Sequence, residues 1–142
     1  METPKITLIT VEAVVHAPVE KVWNCWTSPE HIIKWNQASD DWHTPRATND
    51  LRVGGKFLSR MEAKDGSFGF DFEGTYSAVK PNELIEYSII GGRSVKIIFS
   101  REGNNTRVTE TFETEPTHTL EQQRAGWQAI MNNFKKHVES LS

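Results

Sequence analysis

The chain has 142 residues, a net charge of −3 and a pI near 5.9. This length predicts one domain spanning residues 1–142. The weak negative charge gives no electrostatic basis for binding nucleic acid or an anionic membrane surface. No apolar run is long enough to span a membrane, and the first residues lack the pattern of a signal peptide. Cys25 is the only cysteine and therefore favours a reducing compartment, so we expect a cytoplasmic protein.

The N-terminal part predicts one strand followed by two short helices. Residues 5–15 alternate between apolar and polar side chains, which is typical of a strand with one buried face. An apolar stripe at helical spacing follows Pro18 and consists of Val19, Val22, Trp23 and Trp26. Ser28 and Pro29 have the residue types of an N-cap and a first helical position, so a second short helix should begin there and end near Trp35.

The middle of the chain predicts a polar loop and then an antiparallel meander. Residues 36–53 are interpreted as the loop, with Trp42 inside it. Runs of alternating hydrophobicity follow, separated by the turn sequences KDG, KPNE, GGR and EGNN. Such a series predicts a sheet with one solvated and one dry face. Alternation places Glu110 on the dry face, between Val108 and Phe112.

The C-terminal part, about residues 119–140, predicts a long amphipathic helix. Thr119 and Gln122 match a capping box. The stripe expected to face inward consists of Leu120, Gln123, Trp127, Ile130, Met131, Phe134 and Val138. The dry face of the sheet is the large apolar surface against which this stripe can pack. Gly126 is interpreted as a point of close approach between helix and sheet.

This order of elements resembles the helix-grip fold of the START or SRPBCC superfamily. The resemblance is carried by HAPVEKVWNCWTSPEHIIKW, DLRVGGKF, FEGTYSAVKPNELIEYS, TRVTETFETE and GWQAIMNNFKKHVES, and it is closest to the activator-of-heat-shock-protein-90-ATPase-like family, which is grouped with polyketide-cyclase-like proteins. It implies an α+β fold with a curved antiparallel sheet of about six to seven strands. It also implies two short helices after the first strand, a long C-terminal helix over the concave face, and a cavity between that helix and the sheet.

Parity, helical spacing and the resemblance together predict a set of cavity residues. The expected ligand-binding residues are Trp35, Trp42, His43, Phe57, Met61, Phe70, Phe72, Tyr87, Glu110, Trp127 and Met131. Trp23 and Trp26 are expected to be deeply buried core residues instead. Glu110 has two interpretations, a paired or hydrated strand residue and a polar anchor or acid–base group, and Gln123 is a candidate hydrogen-bond partner for it.

Sequence motifs for other chemistry are weak. The cluster of Asp40, Asp41 and His43 matches no common metal-ligand spacing, and His31 lies on a separate helix, so no metal site is expected. Cys25 has no base supplied by a motif and is interpreted as a buried thiol. The sequence VGGKF lacks the spacing of a phosphate-binding loop. No catalytic residue and no cofactor are assigned.

Three functions are compatible with these features. The first is a module that binds a small hydrophobic or aromatic ligand in an internal cavity. The second is an enzyme of the cyclase or hydrolase type that uses cavity acid–base groups. The third, implied by the resemblance alone, is a co-chaperone-like partner of a heat-shock chaperone ATPase in a stress response.

Overall fold

The computed structural model describes residues 7–37, 39–89 and 92–141. It confirms the α+β helix-grip architecture, with one strand, two short helices, six further strands and a long final helix. The strands are β1 (Leu8–Val15), β2 (Trp42–Asn49), β3 (Lys56–Ala63), β4 (Gly69–Lys80), β5 (Leu84–Ile89), β6 (Ser94–Glu102) and β7 (Asn105–Glu113). The helices are α1 (Val19–Thr27), α2 (Pro29–Trp35) and α3 (Leu120–Ser140).

The seven strands form a curved antiparallel sheet in the order β1-β7-β6-β5-β4-β3-β2. β2 to β7 pair with their neighbours along the chain, whereas β1 pairs with β7, from Leu8 opposite Glu113 to Val15 opposite Thr106. The predicted alternation of β1 is confirmed, because Ile9, Val11 and Val15 are buried while the residues next to them are more exposed.

Helix α3 supplies the other wall of the core. The predicted capping box is present, with the Gln122 amide donating to the Thr119 hydroxyl at 3.0 Å and the Thr119 amide donating to the Gln122 side chain at 3.0 Å. Met131, Phe134 and Val138 are fully buried, as expected for the inward stripe. The prediction for Leu120 is wrong, because this side chain is 52% exposed and the buried stripe begins one turn later.

The burial of the tryptophans differs from the prediction. Trp35 is the deeply buried one, and its indole N–H donates to the Cys25 carbonyl at 2.9 Å. Trp23 and Trp26 are only half-buried, because the buried face of α1 is the one that carries Val19, Val22 and Cys25. Trp26 nevertheless packs on Trp35, with ring centroids 4.9 Å apart.

The segment around Trp42 is a strand, so the prediction of a loop over residues 36–53 is wrong for Trp42–Asn49. This strand, β2, lies at the edge of the sheet and pairs with β3. Its register shifts between His43 and Arg46, across Pro45. The shift interrupts the alternation of side chains, and an edge strand tolerates proline and polar residues on its open side. Both effects remove the period-2 signal from the sequence.

Gly126 in α3 does not mark a close approach of helix and sheet, since a Cβ built there would have no atom within 4 Å. Gly126→Ala should therefore stabilise the domain by about 0.5–1 kcal/mol, because alanine costs less backbone entropy in a helix. Gly74→Ala is the matched control, since its Cβ would lie 2.7 Å from the Ser88 carbonyl oxygen and 2.8 Å from the Phe57 ring. Urea denaturation midpoints should move in opposite directions, and a loss of stability in Gly126→Ala would contradict the open space.

Candidate ligand-binding site

A cavity of about 210 Å³ lies between the concave face of the sheet and α3. Its apolar wall consists of Trp26, Ile32, Trp35, Phe57, Met61, Phe70, Phe72, Ile85, Trp127 and Ile130. Its polar wall consists of Asn36, Thr48, Ser59, Tyr76, Tyr87 and Glu110. The cavity is thus mostly apolar with a few polar groups, as is usual for small-molecule sites.

Aromatic rings from three neighbouring strands form one side of this cavity. Phe57 on β3 lies 5.7 Å from Phe72, 5.4 Å from Tyr76 and 4.7 Å from Tyr87, measured between ring centroids. These residues meet because β3 pairs with β4 and β4 pairs with β5, and all four point to the concave side. From α3, Trp127 approaches Phe72 at 6.4 Å. The rings brace one another and hold the wall in a fixed shape.

Glu110 is the only carboxylic acid in the cavity wall over the described residues. It lies in the middle of β7, is 5% exposed, and is flanked across the sheet by the buried residues Val11 and Ile97. No hydrogen bond or ion pair joins its carboxyl to any other described residue. Burial raises its pKa from an ordinary value of 4.5 to about 8. At neutral pH this group is therefore a protonated acid that can donate a hydrogen bond.

The predicted pairing of Glu110 with Gln123 is wrong. The Gln123 side chain accepts from the Glu115 amide at 3.0 Å and donates to the carbonyls of Glu115 and His118, both at 2.9 Å. Gln123 is buried as expected, but its side chain forms hydrogen bonds with the backbone of the segment before α3 and not with Glu110.

Two tyrosines complete the polar part of the wall. The Tyr76 hydroxyl donates to the Asn49 side chain at 2.6 Å, and Asn49 in turn donates to the Thr27 carbonyl at 2.7 Å. Burial raises the pKa of the Tyr87 phenol, and the Glu110 carboxylate raises it further once that group has ionised. Tyr87 has no hydrogen-bond partner within the described ranges, so its hydroxyl is available to a molecule in the cavity. Glu110 and Tyr87 are thus two neutral donors beside the same apolar space.

A second cleft of about 490 Å³ adjoins the cavity at the start of α3. The residues shared by cavity and cleft are Met61, Phe70, Phe72, Trp127 and Ile130. The residues found in the cleft alone are Ser39, Trp42, Arg93, Glu115, His118, Gln122, Gln123 and Gly126. Trp42 lies 6.0 Å from both Phe68 and Phe70, and these two phenylalanines are exposed. The cleft gives the apolar cavity a wider approach.

The structure brings most of the predicted site residues together. Nine of the eleven line the cavity or the cleft. His43 lines neither, because it lies on the edge strand with Nε2 3.8 Å from a Glu62 carboxylate oxygen. Met131 lines neither, because its side chain points from α3 into the core and is fully buried there. Whether the nine bind a ligand stays a prediction.

Several wall residues were not predicted. Ser59 and Tyr76 share the parity of Met61 and Phe72, so strand alternation could have found them. Thr48 could not be found while β2 was interpreted as a loop. Trp26 was assigned to the core, although its side chain serves as both core and cavity wall.

The sequence profile of the family described as Activator of Hsp90 ATPase homolog 1-like protein matches residues 16–139. The chain belongs to this family. The family lies within the SRPBCC superfamily, as the resemblance predicted. No curated protein matches the chain. Among the helices in the described ranges, none has the length and hydrophobicity that crossing a bilayer requires.

Two solved structures are similar to this chain in both sequence and fold. The AHSA1-like protein of Aeromonas hydrophila is 46% identical, with 94% of this chain and 93% of that chain covered and a TM-score of 0.89. A protein from Cytophaga hutchinsonii is 53% identical, with 93% and 92% covered and a TM-score of 0.81. A protein from Chromobacterium violaceum shares the fold, with 23% identity, 94% and 98% covered and a TM-score of 0.82.

Proposed function

We propose that this chain binds a small, mainly apolar ligand that carries one hydrogen-bond acceptor. The observation that supports this most is Glu110, an acid kept protonated inside an apolar cavity. A buried polar group without a partner costs stability, and a ligand acceptor would offset that cost. Fold alone would not support the proposal, because folds of this kind host many functions.

The cavity dimensions narrow the class of ligand. A volume of about 210 Å³ exceeds the ~150 Å³ cavity that admits benzene in another protein. A single aromatic ring with a carbonyl, ether or hydroxyl group would suit this space. The ring would pack among Phe57, Phe72 and Trp127, and its oxygen would accept from Glu110 or Tyr87. A longer apolar substituent could extend into the adjoining cleft.

The test is an NMR titration with a panel of single-ring ketones, ethers, phenols and carboxylates. We expect acceptor-bearing rings to shift amide signals of β3, β4, β5, β7 and α3. Glu110→Ala should weaken binding by about 10-fold or more, whereas Glu110→Gln, which keeps an N–H donor and a similar shape, should retain it. Glu86→Gln removes a carboxyl that pairs with Lys96 outside the cavity wall, and serves as the control.

The pH dependence provides a second measurement of the same binding. Affinity for a neutral acceptor should fall as the pH rises through about 8, because the Glu110 carboxylate then loses its proton. Glu110→Gln should remove this dependence. Signal changes confined to the surface, or equal affinities in Glu110→Ala and the parent protein, would refute the proposal.

An acid–base enzyme is the second candidate, and the same residue supports it. General acids and bases work best when the pKa lies near the working pH, and a pKa of about 8 meets that condition. The two functions differ in what happens to a bound ligand with time. Conversion of the ligand by the parent protein, with binding but no conversion by Glu110→Gln, would favour the enzyme.

Two further expectations stay predictions. A chaperone partner is supported by the description of the family alone. A cytoplasmic location is supported by Cys25, which is buried and free. Affinity purification with an Hsp90-type ATPase would test the first, and fractionation would test the second.

A further inference from the structure

Three potential metal ligands meet where the helices converge. Cys25 lies near the end of α1, His31 near the start of α2, and His137 near the end of α3. The Cys25 Sγ and one ring nitrogen from each histidine all lie within 4.8 Å of one another. His31 Nδ1 and His137 Nε2 are 2.9 Å apart. None of the three lines the cavity or the cleft, so the cluster is separate from the proposed ligand site.

The environment of this histidine pair differs from that of the other histidines. The other three, His16, His43 and His118, each lie within 4 Å of a carboxylate. His31 and His137 instead face each other and a buried thiol, with no acidic side chain in ion-pair range over the described residues. The ring nitrogens of this pair therefore face a thiol with no carboxylate paired to them, which leaves them free to act as ligands.

The donor set and its spacing suit a borderline-soft transition metal. Thiolate and imidazole are both ligands of Zn²⁺, with Zn–S near 2.3 Å and Zn–N near 2.0–2.1 Å. Tetrahedral bonds of these lengths separate the two nitrogens by about 3.3 Å and sulfur from nitrogen by about 3.6 Å. The two ring nitrogens, 2.9 Å apart, need to part by only a few tenths of an ångström, and the Cys25 Sγ lies within 4.8 Å of the ligand nitrogens.

Metal binding at this cluster should release a proton. Cysteine binds metals as the thiolate, so a bound cation would take the place of the Cys25 thiol proton.

We propose that Cys25, His31 and His137 bind a Zn²⁺ ion and leave its fourth position to water or to an external ligand. The ion would join the adjacent helices α1 and α2 to α3, which lies about 100 residues further along the chain. It would also lie next to the wall of the cavity, because the Cys25 carbonyl accepts the Trp35 indole N–H and the Trp35 ring lines the cavity.

The test is a titration of the reduced protein with Zn²⁺ against a competing chromophoric chelator, together with Co²⁺ as a spectroscopic probe. We expect one ion per chain and a thiolate-to-cobalt charge-transfer band. Loss of an outer-shell partner in metal sites lowers affinity by about 10–100-fold, so loss of a ligand should lower it by at least ~100-fold. Cys25→Ser should abolish the charge-transfer band, and His137→Gln should weaken binding of both ions.

His16→Gln is the matched control, because it removes an exposed histidine that lies beside Glu139. It should leave affinity and stoichiometry unchanged. Cys25 is buried, so if Cys25→Ser does not fold, the half-buried His31 and His137 decide the matter through His31→Gln and His137→Gln. Binding that is absent, or that survives all the ligand substitutions, would overturn the proposal.

Discussion

Phe134→Asp is expected to unfold the domain. Phe134 is fully buried in the middle of α3, and its ring packs edge-on against Trp26 at 4.8 Å and Trp35 at 4.9 Å. Loss of a buried phenylalanine costs about 3–5 kcal/mol by itself. The new carboxylate would add the cost of an unpaired buried charge. Together these approach or exceed the ~5–15 kcal/mol by which domains are stable. Circular dichroism and the dispersion of amide NMR signals would measure the loss of structure.

Leu120→Asp is the control, since it introduces the same charge into the same helix at an exposed position. It should remain folded with stability within about 0.5 kcal/mol of the parent protein, because Leu120 makes little buried contact and an acid suits the first turn of a helix. A cooperatively folded Phe134→Asp variant would contradict the packing of α3 on the two tryptophans.

The stability of the domain is expected to fall as the pH rises from about 4.5 to about 8. The cause is Glu110, whose carboxyl pKa is raised to about 8 in the folded protein by burial. In this pH range the folded chain holds a proton that the unfolded chain has lost, so each pH unit lowers the free energy of unfolding by about 1.4 kcal/mol. The stabilisation is fully present below the unfolded pKa and is lost above the folded one. Over the whole range the loss approaches ~5 kcal/mol.

Glu110→Gln should remove this slope because glutamine does not titrate. Urea denaturation at pH 5, 7 and 9 would measure it, as the difference in unfolding free energy between variant and parent protein. The variant should gain stability relative to the parent as the pH rises. Glu86→Gln should show the parent's slope, since Glu86 is a partly exposed carboxyl beside Lys96. Parallel curves for Glu110→Gln and the parent would mean that the acid is solvated in the folded protein.

The sheet and α3 could be predicted because each has one buried face and one solvent-exposed face. Apolar residues then recur with the period of a strand or of a helix. Where one face of a strand is wet, the period of the side chains reveals which residues are inside, and this placed Glu110 correctly between Val108 and Phe112. The capping box of α3 could also be predicted, because it is a local motif whose two residues are three apart in the chain. The cavity wall on β3, β4, β5 and β7 follows directly from this parity.

Features that depend on how separate elements pack against one another could not be predicted. The burial of Trp23 and Trp26 depends on how α1 is rotated against the sheet, and helical spacing does not fix that rotation. The partners of Gln123 are backbone groups of the segment that folds over the start of α3. β2 is a strand because it pairs with β3, and its own sequence does not alternate between apolar and polar residues. Cys25 and His31 are close in the chain, but His137 lies 106 residues after His31, so no short motif could indicate this cluster.

The pairing of β1 with β7 has a consequence for how the chain folds. β2 to β7 can assemble hairpin by hairpin as they leave the ribosome, because each pairs with its predecessor. β1 is made first but has no partner until β7 is complete, since Leu8 pairs with Glu113. Such distant contacts slow folding. The backbone hydrogen-bonding groups of β1 therefore stay unpaired while β2 to β6 are made, and unpaired strand edges are sites of aggregation.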